Sequence, residues 1–427
     1  MNKTYLIILC GAGDRPIDSL GMATPLEVAA TPHLDRLARD GAQGMVTVID
    51  KGISPESDSG AMALLSYDPH EHYTGRGPLE GLGSGFLALG DNAVSFRINF
   101  ASYDANRQRL DRRTARDLTD EQLQALVTEI RERVKLDDCE GVRFKLMGFG
   151  HHRGILCFSA DTMPLSGKVS NTDPGFVNVG PFGVYAGTFE PKPQECVPME
   201  EGVAAANTAR AVNSFVRESA RILSESAVNK GRIARGELPA NVILFRDGGN
   251  QPQAMQPFSR RFRRSLSFHG QIPAEKGLME LLGGRFSYCR PPEGGDEAGY
   301  LEDTAATLLG DDADVVVVHL KGADEPGHDG AVSKKVSAIE LIDRHFFRRF
   351  TEGLDPNDIC IVTSDHATPC ELKIHSADAV PLLVRCPAIP RDATNCFSER
   401  EAAHGGLPFR RAVELLPYVF QRSEAYA

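Results

Sequence analysis

Five side chains of the kind that hold divalent ions stand in two short stretches of this sequence. In "VVVVHLKGADEPGHDG", Asp324 and His328 are four residues apart, the spacing that brings two side chains to one face of a helix. In "ICIVTSDHATPCELKIHSAD", Asp365 and His366 are adjacent and His375 follows nine residues later. Imidazole with carboxylate suits zinc, manganese and similar divalent ions. Five ligands exceed what one tetrahedral ion needs, so two ions are the natural count. Ser57, in "GISPESDSGAMALLSYDP", sits in a turn just before a helical run. A helix start offers free N–H groups and the positive end of a dipole, which suits an anionic group on that serine. A serine beside a metal ion can lose its proton and act as a nucleophile. Any one of these residues alone reads equally well as a cap or a satisfied core group. Their joint occurrence at the ends of two strong strand candidates is what argues for chemistry.

The elements that must position them follow a plain pattern. Apolar, β-branched runs bounded by glycine or acidic turns occur at 5–9, 44–49, 154–158, 241–245, 314–320, 358–365 and 380–386. Continuous apolar runs favour strands covered on both faces, as in a parallel sheet. Helical patterns fall between them, at 31–41, 119–134, 205–226 and 334–350. Strands alternating with helices predict an α/β fold. The first strand runs into a glycine-rich turn, "YLIILCGAGDR", with Cys10 at its head, and such strand ends are where α/β enzymes keep their chemistry. The stretch 160–200 is rich in Gly, Pro and Ser and reads as a long excursion or lid. The stretch 251–270, with its arginines, reads as a solvated loop or interdomain hinge.

Composition narrows the class. A chain of 427 residues is long for one core and predicts two domains. Net charge is −11, which argues against nucleic acid or an anionic membrane as partner but leaves room for a small phosphorylated substrate. Nine cysteines occur without paired spacing, as expected of reduced thiols in the cytoplasm. No apolar stretch reaches the roughly 18 residues a membrane span needs.

Several long segments, among them "DRPIDSLGMATPLEVAATPHLDRLARDGAQG", "SDSGAMALLSYDPHEHYTGRGPLEGLGSG", "VNKGRIARGELPANVILFRDGG", "HLKGADEPGHDG" and "SDHATPCELKIHSADAVPLLV", carry a resemblance that runs nearly end to end. The sequence resembles the archaeal-type cofactor-independent phosphoglycerate mutases of the alkaline phosphatase superfamily. The resemblance implies an alkaline-phosphatase-like α/β core with a mainly parallel sheet flanked by helices, residues 1–89 and 259–427. It also implies a smaller inserted α+β substrate-binding or cap domain, residues 90–258. It implies two divalent ions, of manganese, zinc or magnesium. By motif position, Asp324, His328 and His375 match the ligands of one ion. Ser57, Asp365 and His366 match ligands of the other, with Ser57 the residue that becomes phosphorylated. The family has an aspartate where this chain has Cys10, so the second site is altered or weak here. Three roles stand open for Cys10: a thiolate ligand that suits zinc, a buried thiol without metal, or a reactive thiol.

In such an enzyme Ser57 takes the phosphoryl group, the freed diol reorients, and its other hydroxyl takes the group back, interconverting 2-phosphoglycerate and 3-phosphoglycerate. Cations must neutralise the transferring group and grip the carboxylate. The candidates are Lys276 as a catalytic residue and Arg153, Arg246, Arg113 and Arg116 as substrate ligands. Asp173 is expected either to orient a glycerate hydroxyl or to make an Asx turn. Closure of the second domain would exclude water from the intermediate. A homo-oligomer is compatible with the family. Two competing readings are kept: a phosphotransferase or phosphatase acting on another small hydroxy acid, phosphonate or homoserine-like substrate, and a non-catalytic relative that binds a phosphorylated metabolite.

Overall fold

The computed structural model describes residues 2–426 apart from Leu89, Arg113, Gln251, Gln253, Glu293 and Phe409. Its strands, in chain order, are β1 (Thr4–Leu9), β2 (Ala42–Val46), β3 (Ala93–Asp104), β4 (Arg109–Asp111), β5 (Val142–Phe149), β6 (Arg153–Ala160), β7 (Phe176–Val179), β8 (Phe182–Tyr185), β9 (Val242–Asn250), β10 (Leu266–Gly270), β11 (Arg285–Tyr288), β12 (Val315–Leu320), β13 (Ile359–Thr363) and β14 (Val380–Arg385). The chain divides into two compact units, residues 1–72 with 255–427, and residues 73–254.

The first unit is built on a seven-stranded sheet in the order β11-β10-β12-β1-β13-β14-β2. The five strands from β11 to β13 run parallel, and β14 lies antiparallel to both β13 and β2. Every residue of β1, β12 and β13 is buried, as their unbroken apolar runs require of strands with both faces covered. Tyr5, Ile7 and Leu9 share one core cluster with Val316, Val318, Cys360, Val362 and the phenylalanines 346, 347 and 350. Because β1, β12 and β13 point the same way, their carboxyl ends share one edge. Cys10, Lys321 to Asp324, and Asp365 with His366 all follow directly from those ends.

The 251–270 stretch is not a solvated loop. Residues 258–262 form a helical turn, and β10 is buried throughout and pairs with both β12 and β11. Ser and His interrupt its apolar run, so the sequence signal is weak, but Leu266 and Phe268 still carry it inside.

The second unit is an antiparallel sheet, β4-β3-β6-β5, with β9 on β3. Helices Asp120–Arg133 and Val203–Glu225 contribute Leu123, Leu126, Val127, Ile130, Val212 and Phe215 to its core. Phe96, Phe158, Phe215 and Phe245 pack there ring against ring. A Thr119–Gln122 capping box fixes the start of the first of these helices. The boundary runs differently from 89/90 and 258/259. The buried helix Arg76–Gly83 belongs to the second unit because Gly77 meets the β3 and β9 backbones: a Cβ there would lie 2.4 Å from the Ser95 carbonyl and 2.6 Å from that of Asp247. The 160–200 stretch is mostly irregular, with the β7–β8 hairpin inside it. No described helix is long and apolar enough to cross a membrane.

Candidate active site

The turn after β1 brings the strand ends together. Gly11 has φ +61°, and a Cβ on it would fall 2.6 Å from Asp324 Oδ1 and 2.7 Å from Thr368 Oγ1, so conformation and space both demand glycine. Its N–H donates to Asp365 Oδ1 at 3.0 Å. Behind the turn, the buried Lys335 ammonium donates to Asp14 Oδ2 at 2.9 Å and to the carbonyls of Gly13 and Thr368 at 3.1 and 2.9 Å. This lysine ties the first strand end to the segment that carries His366.

One donor group centres on Asp324. His328 Nε2 lies 3.5 Å and His375 Nε2 3.6 Å from Asp324 Oδ1. The outward nitrogens of the two rings meet backbone carbonyls, His328 Nδ1 that of Lys373 at 3.0 Å and His375 Nδ1 that of Pro55 at 2.9 Å. Carbonyls accept only, so each Nδ1 carries a proton and each Nε2 is turned toward the Asp324 carboxylate. Burial alone would raise the Asp324 carboxyl, but His375 and its neighbouring imidazoles hold it well below the usual range. Donor atoms of Asp324, His366 and His375 all lie within 4.8 Å of one another. A carboxylate ringed by imidazoles fits a divalent ion.

A second group centres on Cys10. Its Sγ is 3.6 Å from Ser57 Oγ, 3.4 Å from Asp365 Oδ2 and 3.9 Å from His366 Nε2. Thr368 links the two groups: its hydroxyl donates to Asp324 at 2.7 Å and so accepts from His366 Nδ1 at 3.1 Å. That leaves His366 Nε2 facing Cys10 and Asp365. Burial opposes charge on His366, yet the Asp365 carboxylate raises it well above the ordinary histidine value, so this spot draws positive charge to Nε2. Thiol, carboxylate and imidazole in one buried cluster also fit a divalent ion, of softer character than the first group.

Ser57 opens the helix Ser57–Leu64, as its position before a helical run predicted. Two residues that sequence reasoning passed over meet it or its neighbours. Lys321 Nζ lies 3.1 Å from Ser57 Oγ and 3.0 Å from Cys10 Sγ. His319 sits between two carboxylates, Nδ1 2.6 Å from Glu275 and Nε2 2.9 Å from Asp365. Burial and Asp365 push the Cys10 thiol up, Lys321 and His319 pull it down, and the balance lowers it to about 7. Burial opposes the Lys321 charge, but Cys10, Glu275 and Asp365 outweigh it and raise the ammonium above its usual range. The signal for both residues was present: His319 and Lys321 are two apart along a strand and its extension, and so share a face.

Lys276 is not brought to Ser57. It lies on the helix Pro273–Leu282 with its ammonium 3.6 Å from Glu280, and among the described residues the lysine in contact with Ser57 is Lys321. Successive helical residues point in different directions, so this helix buries Glu275 against His319 and leaves Lys276 partly exposed.

The second unit gathers arginines. Arg97 and Arg76 both pair with the fully buried Glu80, Arg76 at 2.9 Å. Arg246, cross-strand partner of Arg97, pairs with Asp247 and stacks 4.1 Å from the Phe176 ring centre. Arg153 begins β6 opposite Asn99. Burial lowers Arg97 to about 9, Glu80 opposing and Arg76, Arg153 and Arg246 adding to the shift. Burial, Arg153, Arg116 and Arg97 together hold His152 down at about 2. Such crowding of guanidiniums favours negative charge nearby, which Glu80 and Asp247 supply in part. Arg116 sits exposed in the 3-10 turn Thr114–Asp117, and Arg113 lies outside the described residues. Asp173 takes the Asx turn, accepting from the Gly175 N–H at 3.0 Å, and its carboxylate is gripped by both Arg112 nitrogens at 2.5 and 2.8 Å.

A mainly parallel α/β sheet with ion-ligand clusters at its carboxyl edge defines a metalloenzyme, and residues 293–413 match the family model described as the Metalloenzyme superfamily. Residues 38–229 match the model of 2,3-bisphosphoglycerate-independent phosphoglycerate mutase. The chain is 37% identical over 414 residues to the enzyme of that name from Aeropyrum pernix, covering 95% of each chain. It is 36% identical to that from Methanoculleus marisnigri, covering 98% of this chain and 96% of the relative. Among solved structures it is similar to a Pyrococcus horikoshii protein, with TM-score 0.76, 28% identity, and 99% and 97% of the two chains covered. The cofactor-independent phosphoglycerate mutase from Thermoplasma acidophilum gives TM-score 0.61 and 27% identity, over 99% and 100% of the chains. The chain belongs to the 2,3-bisphosphoglycerate-independent phosphoglycerate mutase family.

Proposed function

We propose that this protein is an isomerase that interconverts 2-phosphoglycerate and 3-phosphoglycerate through a phosphoserine at Ser57. The observation that carries the reading is the setting of Ser57 Oγ: the start of a helix, 3.1 Å from the Lys321 ammonium and 3.6 Å from Cys10 Sγ in the second donor group. An oxygen so placed is stabilised as it loses its proton, and a phosphoryl group on it would be stabilised too.

The Ser57 oxygen attacks phosphorus, the bond from phosphorus to the substrate oxygen breaks, and the serine's proton ends on that freed oxygen. The other glycerate hydroxyl then attacks the phosphoserine and returns its proton to Ser57. Lys321 holds positive charge at Ser57 Oγ through both steps. Two divalent ions, of manganese, zinc or magnesium, held by Asp324, His328 and His375 and by Cys10, Asp365, His366 and Ser57, would supply Lewis-acid neutralisation of the transferring group. Arg153 and Arg246 are the anion grips of the second unit, with Arg113 and Arg116 as further candidates. Arg112 leaves Asp173 a structural role. Lys276 remains a candidate only as one of the cations the sequence offers for neutralising the transferring group. The family's printed activity supports this substrate over other hydroxy acids, and retention of Ser57 with five oxygen and nitrogen ligands supports catalysis over mere binding. We place the reaction in the cytoplasm, on the nine unpaired thiols.

The test is acid-quenched protein incubated with 3-phosphoglycerate, digested and analysed by mass spectrometry. Phosphate on the Ser57 peptide, absent from Ser57→Ala, is the expected result. Turnover without any phosphopeptide would remove Ser57 from the role of phosphoryl carrier.

A further inference from the structure

Three of the four donor separations around Cys10 are close to those a tetrahedral ion imposes, and the fourth, to His366, is a few tenths of an ångström longer. Cys10 Sγ stands 3.6 Å from Ser57 Oγ, 3.4 Å from Asp365 Oδ2 and 3.9 Å from His366 Nε2, and the last two atoms are 3.2 Å apart. An ion with about 2.3 Å to sulfur and about 2.0–2.1 Å to nitrogen or oxygen holds its donors about 3.3–3.6 Å apart. Hydrogen bonds hold the donors in this arrangement. The second oxygen of Asp365 is held by the N–H groups of Gly11 and His366 at 3.0 and 3.1 Å. Thr368 takes the proton side of His366 and turns Nε2 inward. Lys321 at 3.0 Å from the sulfur balances a thiolate. These are the outer-shell contacts that fix ligand orientation in metal sites. The Asp324 group offers oxygen and nitrogen only.

We infer that Cys10 sets the metal identity of its centre: this is a thiolate site that takes zinc or cobalt in preference to manganese or magnesium more strongly than the Asp324 centre, which has no sulfur donor. Thiolate selects soft and borderline ions, while magnesium demands an octahedral shell of oxygens. The inference rests on the two-ion reading of the active site.

The test is titration of the metal-stripped full chain with cobalt(II), followed by absorbance and by metal analysis, with zinc and manganese in competition. A sulfur-to-cobalt charge-transfer band is expected in the wild type and absent in Cys10→Ser. Zinc at this centre should weaken in that variant by at least the roughly 10- to 100-fold that loss of an outer-shell partner costs. Cys10→Asp should keep two ions, lose the band and turn the preference toward manganese. Two cobalt ions bound with no band that depends on Cys10 would overturn the inference. Phosphoglycerate interconversion by that same protein would show the mutase reading still standing. Failure to bind cobalt at all would overturn the inference, and interconversion assayed with manganese or magnesium would decide the mutase reading separately.

Discussion

The two units solve opposite electrostatic problems. The first brings Asp324, Asp365, a thiol of lowered pKa and three imidazoles to one strand edge, a set that calls for cations. The second brings Arg76, Arg97, Arg153 and Arg246 into mutual influence around Glu80 and Asp247, a set that calls for anions. A reaction that moves a phosphoryl group on a carboxylate-bearing substrate needs both: cations about the nucleophile and fixed guanidiniums for the parts that do not react. Lys321 is a counter-charge in the first unit and Glu80 in the second, and each is held by several partners.

The comparison breaks most completely at Ser57. Ser57→Ala should reduce interconversion by roughly 10⁴-fold or more while the ion of the Asp324 group, which does not use this serine, is retained, as activity assays beside metal analysis would show. In the second unit, Arg97→Met leaves buried Glu80 with Arg76 alone, and equilibrium denaturation should register a loss of about 3–5 kcal/mol. Equal stability of that variant would mean the arginine cluster is not built around Glu80. Lys321→Met removes the charge at the nucleophile and should lower kcat about 10²- to 10³-fold with little change in KM, since the contact is to Ser57 and not to the part of the substrate that stays fixed.

The smallest effect sharpens the contrast through pH. Burial raises Glu399 to about 7, although Thr24, the Asp14 N–H and Lys335 pull the other way. A carboxyl raised on folding binds its proton more tightly in the native state, so its contribution to stability is full below its ordinary value near 4.5 and is lost as pH rises through about 7. Glu399→Gln should therefore flatten the fall in stability between about pH 5 and pH 7.5 in thermal unfolding. An unchanged slope would remove this carboxyl from the support behind the glycine turn.

The two sites were unequally legible in the sequence. The candidate ligands Asp324, His328, Asp365 and His366 were readable because they stand in short polar runs soon after an apolar strand, so topology carries them to one edge. Cys10 was readable for the same reason. Lys321 and His319 lay inside a quoted segment and were passed over, because their meaning depends on which way a strand end faces. Lys276 drew attention instead, yet the helix that carries it buries its neighbour Glu275. The arginines of the second unit are scattered over 170 residues, from Arg76 to Arg246, and no local pattern announces that β3 and β9 pair Arg97 with Arg246. Strands with broken apolar runs, β10 and β11, were likewise invisible: β10 is buried between its neighbours in the sheet, and β11 is a half-exposed edge strand.

The account turns on phosphoglycerate chemistry at Ser57, and one measurement reaches it directly: a phosphorus NMR time course of purified, metal-loaded protein with 3-phosphoglycerate and no added bisphosphoglycerate. The account predicts steady growth of the 2-phosphoglycerate signal to an equilibrium mixture, with no free phosphate. Release of free phosphate alone, or a spectrum that stays unchanged with zinc, cobalt, manganese and magnesium in turn, would contradict it.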